Sequence, residues 1–181
     1  MKTIAIAAYS GPPSERHASA ARIIIGELSR YCLDDVVIAV GGYWGLMKTI
    51  VDEALSHGFR VVVYPYAERE DMEYPGEAIV VKTGLTPEAR SILLVRSGDI
   101  LIALGGGVGT MIEVLLAYSM GKPVYLLKTG LASDKLEVFT PYIDERRLAE
   151  LKVYEDPVKL ARDACLFLAS QRAPSLKRIH G

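Results

Sequence analysis

The chain has 181 residues, a length that fits one domain able to bury a substantial core. Half of the residues are apolar, the mean hydropathy is +0.22 and the formal net charge is −1. Because the charge is near zero and no long basic run occurs, we expect no nucleic-acid binding through a broad basic surface. No apolar run approaches the roughly 18 residues that predict a membrane span, so we expect no membrane partner.

Other features of the composition predict a cytoplasmic protein. Cys32 and Cys165 lack metal-ligand spacing, so we expect two free, buried thiols in a reducing cytoplasm. The N-terminal apolar run is short and is followed by Gly-Pro-Pro, which predicts a strand and not a signal peptide. The chain has no asparagine and one glutamine, Gln171, a composition typical of a thermophilic source. The high apolar content favours an oligomer.

Short apolar, β-branched runs alternate along the chain with segments of helical period. Strands are predicted at 3–9, 36–40, 60–65, 78–82, 99–104, 123–128 and 151–155. Helices are predicted at about 14–31 and at 46–56, 87–96, 110–120 and 157–170. Thr86 and Pro87 are typical of a helix start, whereas Gly121 and Pro123 are typical of a helix end. Residues 173–181 are predicted to be a frayed tail.

Apolar strands that alternate with helices predict an α/β fold, a doubly wound parallel sheet in a single domain over residues 1–172. Such sheets bind ligands outside the carboxyl ends of their strands. Three loops follow predicted strands at that edge: SGPPSE, GGYWGLM and GGGVGT. They supply the candidate ligand-binding residues Ser10, Gly11, Gly41, Gly42, Gly45, Gly105, Gly106, Gly107, Gly109 and Thr110.

The run of four glycines at 105–109 lies between a strand and a helix, where backbone N–H groups and the helix dipole favour an anion. One glycine would serve a tight turn, so four favour a phosphate site. Thr110 replaces the third glycine of the dinucleotide fingerprint, and no lysine completes a Walker loop. The loop therefore favours a phosphorylated ligand, but neither NAD binding nor ATP hydrolysis.

Several side chains near these loops have two interpretations. Glu113 either forms a capping box with Thr110 or points into the ligand site, where it would accept ribose hydroxyls or orient water. Arg90 is either a surface arginine beside an acid or a contact to an anionic ligand. Tyr43 and Trp44 either stack on a base or pterin ring or form an oligomer contact.

The remaining polar residues carry no predicted chemistry. The acidic loop 67–74 is expected to remain solvated and away from any phosphate. The three histidines show no paired spacing, so no metal site is predicted.

Taken jointly, these motifs resemble the Lonely Guy family, long mislabelled as lysine decarboxylase-like. The shared pattern runs over about residues 2–127. It consists of GGxxGLM after the second predicted strand, an arginine in the helix before the fifth predicted strand, GGxGTxxE, and GKPV. The resemblance implies a Rossmann-like fold, a homodimer or homotetramer, and a nucleoside 5′-monophosphate phosphoribohydrolase. It implies phosphate binding at Gly106, Gly107, Gly109 and Thr110, and a catalytic pair, Arg90 and Glu113.

Two departures make the chain more similar to a sister branch, the molybdenum cofactor carrier proteins. Gly105 stands where the family has proline, and the family's Glu-Arg-Lys reads Ala89-Arg90-Ser91 here. That branch binds a pterin phosphate or a nucleotide without an established reaction. The sequence therefore predicts a carrier of a phosphorylated ligand such as molybdopterin or a mononucleotide, with no required cofactor. The phosphoribohydrolase remains the alternative, and lysine decarboxylation is not expected.

Overall fold

The computed structural model describes residues 1–171 as one seven-stranded sheet in which every neighbouring pair is parallel. The spatial order is β4-β3-β2-β1-β5-β6-β7, so the order reverses between β1 and β5. This reversal is the point at which such sheets open a ligand crevice. The strands are β1 Lys2–Ala8, β2 Val36–Val40, β3 Arg60–Val63, β4 Ile79–Val80, β5 Ile100–Leu104, β6 Val124–Leu127 and β7 Leu151–Tyr154.

Within residues 1–171, five α-helices cover the two faces of the sheet. They are α1 Glu15–Cys32, α2 Gly45–Ser56, α3 Pro87–Ser97, α4 Val108–Ser119 and α5 Pro157–Ser170. Helix α1 packs against α2 and α5 on one face, and α3 packs against α4 on the other. The predicted fold, a single-domain doubly wound α/β sheet of Rossmann type, is confirmed.

The central strands alternate large and small apolar residues, which explains how both faces are filled. In β1, Ile4 and Ile6 face the α1 side, whereas Ala5 and Ala7 face α3 and α4. All four are fully buried or nearly so. Because all strands are parallel and each of α3 and α4 starts after a strand has ended, the first turns of both helices lie at the carboxyl edge.

The predicted element boundaries agree with the structure to within two residues, and two of the differences concern β4 and the start of α4. Strand β4 has only two residues, since Ala78 before it and residues 81–82 after it lie outside the strand. Helix α4 begins at Val108, with Gly107 as its N-cap, and not at Thr110. The predicted frayed tail, 173–181, lies outside the described residues. Among the helices of residues 1–171, none is long and apolar enough to cross a membrane.

The prediction of two free thiols is wrong, because Cys32 and Cys165 form a disulfide. Helices α1 and α5 make the most extensive helix–helix contact of the described residues, and they place the two cysteines with Cα atoms 5.8 Å apart. Sequence separation of 133 residues hid this proximity. Disulfides persist chiefly in oxidising compartments and, among intracellular proteins, chiefly in those of hyperthermophiles.

Candidate functional site

A cavity of about 520 Å³ opens at the carboxyl ends of β1, β2 and β5, at the reversal of strand order. Its volume lies within the range of about 300–1,000 Å³ that is typical of small-molecule sites. The walls come from the strand ends, the first turns of α3 and α4, and one residue after β3. The lining residues include Tyr9, Ser10, Gly41, Trp44, Tyr66, Arg90, Ser91, Gly107, Gly109, Thr110 and Glu113.

Two of the glycines in the GGGVGT loop face open space. A Cβ built on Gly107 or Gly109 would meet no atom within 4 Å. Gly107 is the N-cap of α4, and no side chain there accepts an N–H of the first turn. The first helical hydrogen bond runs from the Met111 N–H to the Gly107 carbonyl oxygen. The N–H groups of the three residues between, 108–110, therefore lack acceptors within the helix. Free N–H donors beside open space are what an anion site requires.

The other two glycines of this loop serve the turn. Gly105 and Gly106 both have positive φ, +68° and +147°, where a side chain would be strained. A Cβ on either would also collide with a threonine, Thr129 or Thr110. Neither glycine lines the cavity. Thr110 does, and its hydroxyl donates to the Gly105 carbonyl at 3.2 Å, which ties the loop to the helix.

In the GGYWG loop, each glycine makes room for another part of the chain. A Cβ on Gly41 would collide with the guanidinium of Arg90, and one on Gly42 would collide with the ring of Trp44. A Cβ on Gly45 would lie 2.5 Å from the backbone of Ser10. Of these three glycines, only Gly41 lines the cavity; Gly42 and Gly45 do not. The remaining candidate, Gly11, packs under the Tyr9 ring and also lies outside the lining.

Arg90 and Glu113 form a buried ion pair at the cavity wall. Arg90 Nη1 donates to Glu113 Oε1 at 3.2 Å, and the Ser91 hydroxyl donates to the same oxygen at 2.9 Å. The three residues are 7%, 6% and 5% exposed, respectively. Glu113 therefore does not form the capping box considered above, and Arg90 is not a surface arginine. Arg90 Nε is buried and has no hydrogen-bond partner among the described residues.

Burial sets the protonation chemistry of this pair. Removal from water raises the pKa of Glu113, although the neighbouring Arg90 and the Ser91 hydroxyl act in the opposite direction. The same desolvation lowers the pKa of Arg90, against the influence of Glu113. Ser91 was noted in the sequence only as a departure from a family pattern. Its contact to Glu113 depends on α3 and α4 lying side by side, which no local motif indicates.

The aromatic residues separate into two groups. Trp44 lines the cavity together with Tyr66, which the sequence analysis did not single out. Tyr43 does not line it; its hydroxyl donates to Asp52 at 2.7 Å, and its ring lies 6.0 Å from that of Tyr74. None of the described histidines lines the cavity. Within residues 1–171, no group of three or more His, Cys, Asp or Glu side chains is placed to hold a metal ion.

The model of the SLOG cluster4 family matches residues 13–158, which contain most of the sheet and the whole of α1 to α4. The chain belongs to the SLOG cluster4 family. A curated relative in this comparison is an uncharacterised protein of Archaeoglobus fulgidus, 33% identical over 103 residues, or 57% of this chain and 67% of the relative. The predicted resemblance to the Lonely Guy type of Rossmann-like protein and its carrier-like branch is confirmed at the level of family and fold.

Solved structures extend this SLOG cluster4 comparison. The protein solved as TM1055 by a structural genomics consortium superposes with a TM-score of 0.78 at 28% identity, covering 94% of this chain and 99% of that one. The molybdenum cofactor carrier protein of Chlamydomonas reinhardtii gives 0.74 at 24% identity, covering 93% and 98%. DNA processing protein A of Helicobacter pylori, described with a single-stranded DNA binding mode, gives 0.63 at 17%, covering 94% and 81%. At these last two identities the likeness concerns the fold.

Proposed function

We propose that this protein binds a phosphorylated small molecule, a nucleoside monophosphate or a molybdopterin-like compound, and acts as a carrier. The observation that supports this most is the open space at Gly107 and Gly109, beside the unpaired N–H groups of the first turn of α4. In this arrangement the phosphate lies at the helix N-terminus beside Gly107, and the backbone N–H groups of Val108, Gly109 and Thr110 donate to it. Arg90 adds a buried positive charge to the same cavity.

The remainder of the cavity fits the ring of such a ligand. Trp44 and Tyr66 present aromatic surface, and Ser10 adds a hydroxyl at the end of β1. The existence of a molybdenum cofactor carrier with the same fold supports a pterin as one candidate cargo. The protein needs no resident cofactor in this proposal, because the phosphorylated compound is the cargo.

The alternative activity, a nucleoside monophosphate phosphoribohydrolase, would use Arg90 and Glu113 as the catalytic pair. An oxocarbenium-like transition state would be stabilised by a carboxylate at the ribose. Here Glu113 already accepts hydrogen bonds from Arg90 and Ser91, and burial raises its pKa. Because Arg90 and Ser91 engage the same carboxylate oxygen, Oε1 is not free for a ribose hydroxyl or a water, so we favour the carrier.

One experiment separates the two. The purified protein is analysed by native mass spectrometry for a co-purifying phosphorylated compound, and is then incubated with a panel of nucleoside monophosphates while free base is measured by chromatography. The carrier predicts a bound compound and no base. Release of base that disappears in Glu113→Ala would establish the hydrolase instead. Absence of any bound compound, together with no binding of added monophosphates, would contradict the proposal.

We further propose that the protein is a cytoplasmic homo-oligomer that has neither nucleic acid nor membrane as a partner. Apolar side chains on the outer faces of α3 and α4 support self-association: Ile92 is 46%, Leu93 38% and Leu115 43% exposed. Val108, 71% exposed, lies both on this face and at the cavity mouth, so a second copy would border the ligand. Light scattering at micromolar concentration should give a dimer or tetramer, and a monomer would count against it.

A further inference from the structure

The wall of the cavity away from the GGGVGT loop is built from an aromatic pair. Trp44 and Tyr66 meet edge to face, with ring centroids 5.3 Å apart and planes at 79°. Both rings line the cavity and both are half-buried. The Trp44 ring lies against the backbone at Gly42, because a Cβ there would collide with it. Trp44 is therefore fixed from the side of β2, and part of the residue borders the cavity.

Arg69 holds this pair from the other side. Its guanidinium carbon lies 5.5 Å from the centroid of the Trp44 ring, within the range of a cation–π contact. Its Nε donates to the Tyr66 hydroxyl at 3.2 Å. One side chain thus contacts both members of the aromatic pair. The sequence analysis expected the loop that carries Arg69 to remain solvated and away from any phosphate.

This loop is itself anchored, so Arg69 is presented from a fixed backbone. The Tyr74 hydroxyl donates to the Arg69 carbonyl at 2.6 Å. Glu70 accepts the backbone N–H groups of Thr83 and Gly84 at 2.6 and 2.7 Å, which closes the loop on the segment before α3. The same segment leads into the first turn of α3, which carries Arg90. The aromatic wall and the charged wall of the cavity are therefore joined through the loop.

We infer that the ligand carries a planar heteroaromatic ring that lies against Trp44 and Tyr66, and that Arg69 is the positioning residue that sets selectivity for such ligands. The inference deepens the proposed function and depends on it. The cavity of about 520 Å³ has far more room than a phosphate group requires. The Tyr66 hydroxyl accepts a hydrogen bond from Arg69, which helps to fix the ring, so the wall presents π surface to a base or pterin.

The test compares three probes that share a phosphate: inorganic phosphate, ribose 5-phosphate and adenosine monophosphate. Calorimetry on the wild-type protein should show that adenosine monophosphate binds most tightly. Trp44→Leu should weaken its binding about 5- to 100-fold, the range of base–aromatic stacking, and leave ribose 5-phosphate unchanged. Arg69→Met should weaken the binding of adenosine monophosphate about three- to tenfold, again without effect on the binding of ribose 5-phosphate. Trp44 is the only tryptophan, so its emission should shift in Arg69→Met.

Two further variants control the comparison. Lys82→Met removes a charge from the same surface, where Lys82 pairs with exposed Asp71, and should change nothing. Tyr66→Phe removes only the hydroxyl that Arg69 contacts. It should weaken the binding of adenosine monophosphate less than Arg69→Met does. Retained ribose 5-phosphate binding shows that each variant is folded. If adenosine monophosphate binds no tighter than ribose 5-phosphate, or if Arg69→Met lowers both equally, the inference is overturned. If no probe binds the wild-type protein, the proposed function itself fails.

Discussion

Two glycine-rich loops, GGYWG at 41–45 and GGGVG at 105–109, each connect a buried strand to a helix at the same edge of the sheet. In the first loop the glycines accommodate the protein itself, namely Arg90, the Trp44 ring and the backbone at Ser10. In the second, two glycines shape the turn, and Gly107 and Gly109 face open space. A glycine run therefore indicates a ligand only where the space beside it is free.

The largest expected effect comes from filling that space with charge. Gly107→Asp places a carboxylate at the proposed phosphate position, so binding of adenosine monophosphate should fall at least about 100-fold by calorimetry, because like charges repel strongly at close range. Aspartate is a good N-cap, so the free energy of unfolding should rise by a few tenths of a kcal/mol, about what such a cap contributes over glycine. If this variant keeps its stability and loses ligand binding, the loss comes from the binding site and not from a disrupted fold. Undiminished affinity would show that the phosphate lies elsewhere.

The next effect comes from the first loop. Gly41→Ala should push Arg90 away from Glu113 and lower the free energy of unfolding by about 1–3 kcal/mol, the usual cost of overpacking. Ligand affinity should fall as well, because Arg90 moves. Thermal unfolding followed by circular dichroism measures the first quantity. An unchanged melting temperature would mean that Arg90 does not depend on this glycine.

Glu113, in the α4 helix that follows the second loop, gives the site a pH dependence. Because burial raises the pKa of Glu113, the folded state favours its protonated form, and this contribution to stability is complete below the ordinary value of 4.5. It is lost as the pH rises through the raised pKa. Relative to Glu113→Gln, the wild-type protein should therefore lose stability over the pH range that extends upward from about 4.5. Melting temperatures of both proteins across that range test the sign, and a wild-type advantage that grows with pH would contradict it.

The smallest effect should follow Gly109→Ala, the counterpart of Gly41→Ala in the second loop. Gly109 is helical and a Cβ there meets nothing, so unfolding free energy should rise by roughly 0.5–1 kcal/mol through reduced freedom of the unfolded chain. Affinity for adenosine monophosphate should fall only a few-fold, because the new methyl borders the phosphate. Destabilisation comparable to that of Gly41→Ala would remove the distinction between the loops.

The sequence predicted the fold closely, because apolar strands and helical periods are local signals. It also predicted the edge of the sheet where the cavity lies, since parallel strands end together. The sequence could not show which glycines make room for the protein itself and which face the cavity, because Gly41 and Arg90 meet only through packing of β2 against α3. Tyr66, Arg69 and Ser91 were missed for the same reason: their partners lie on other elements. The Cys32–Cys165 disulfide, which joins two helices, was also missed.

The most direct test of the central claim is a crystal structure of the wild-type protein with adenosine monophosphate. We predict that the phosphate oxygens lie within hydrogen-bond distance of the N–H groups of Gly109 and Thr110, with the base against Trp44. A phosphate bound instead at the GGYWG loop, or outside the cavity altogether, would contradict the assignment of the two loops.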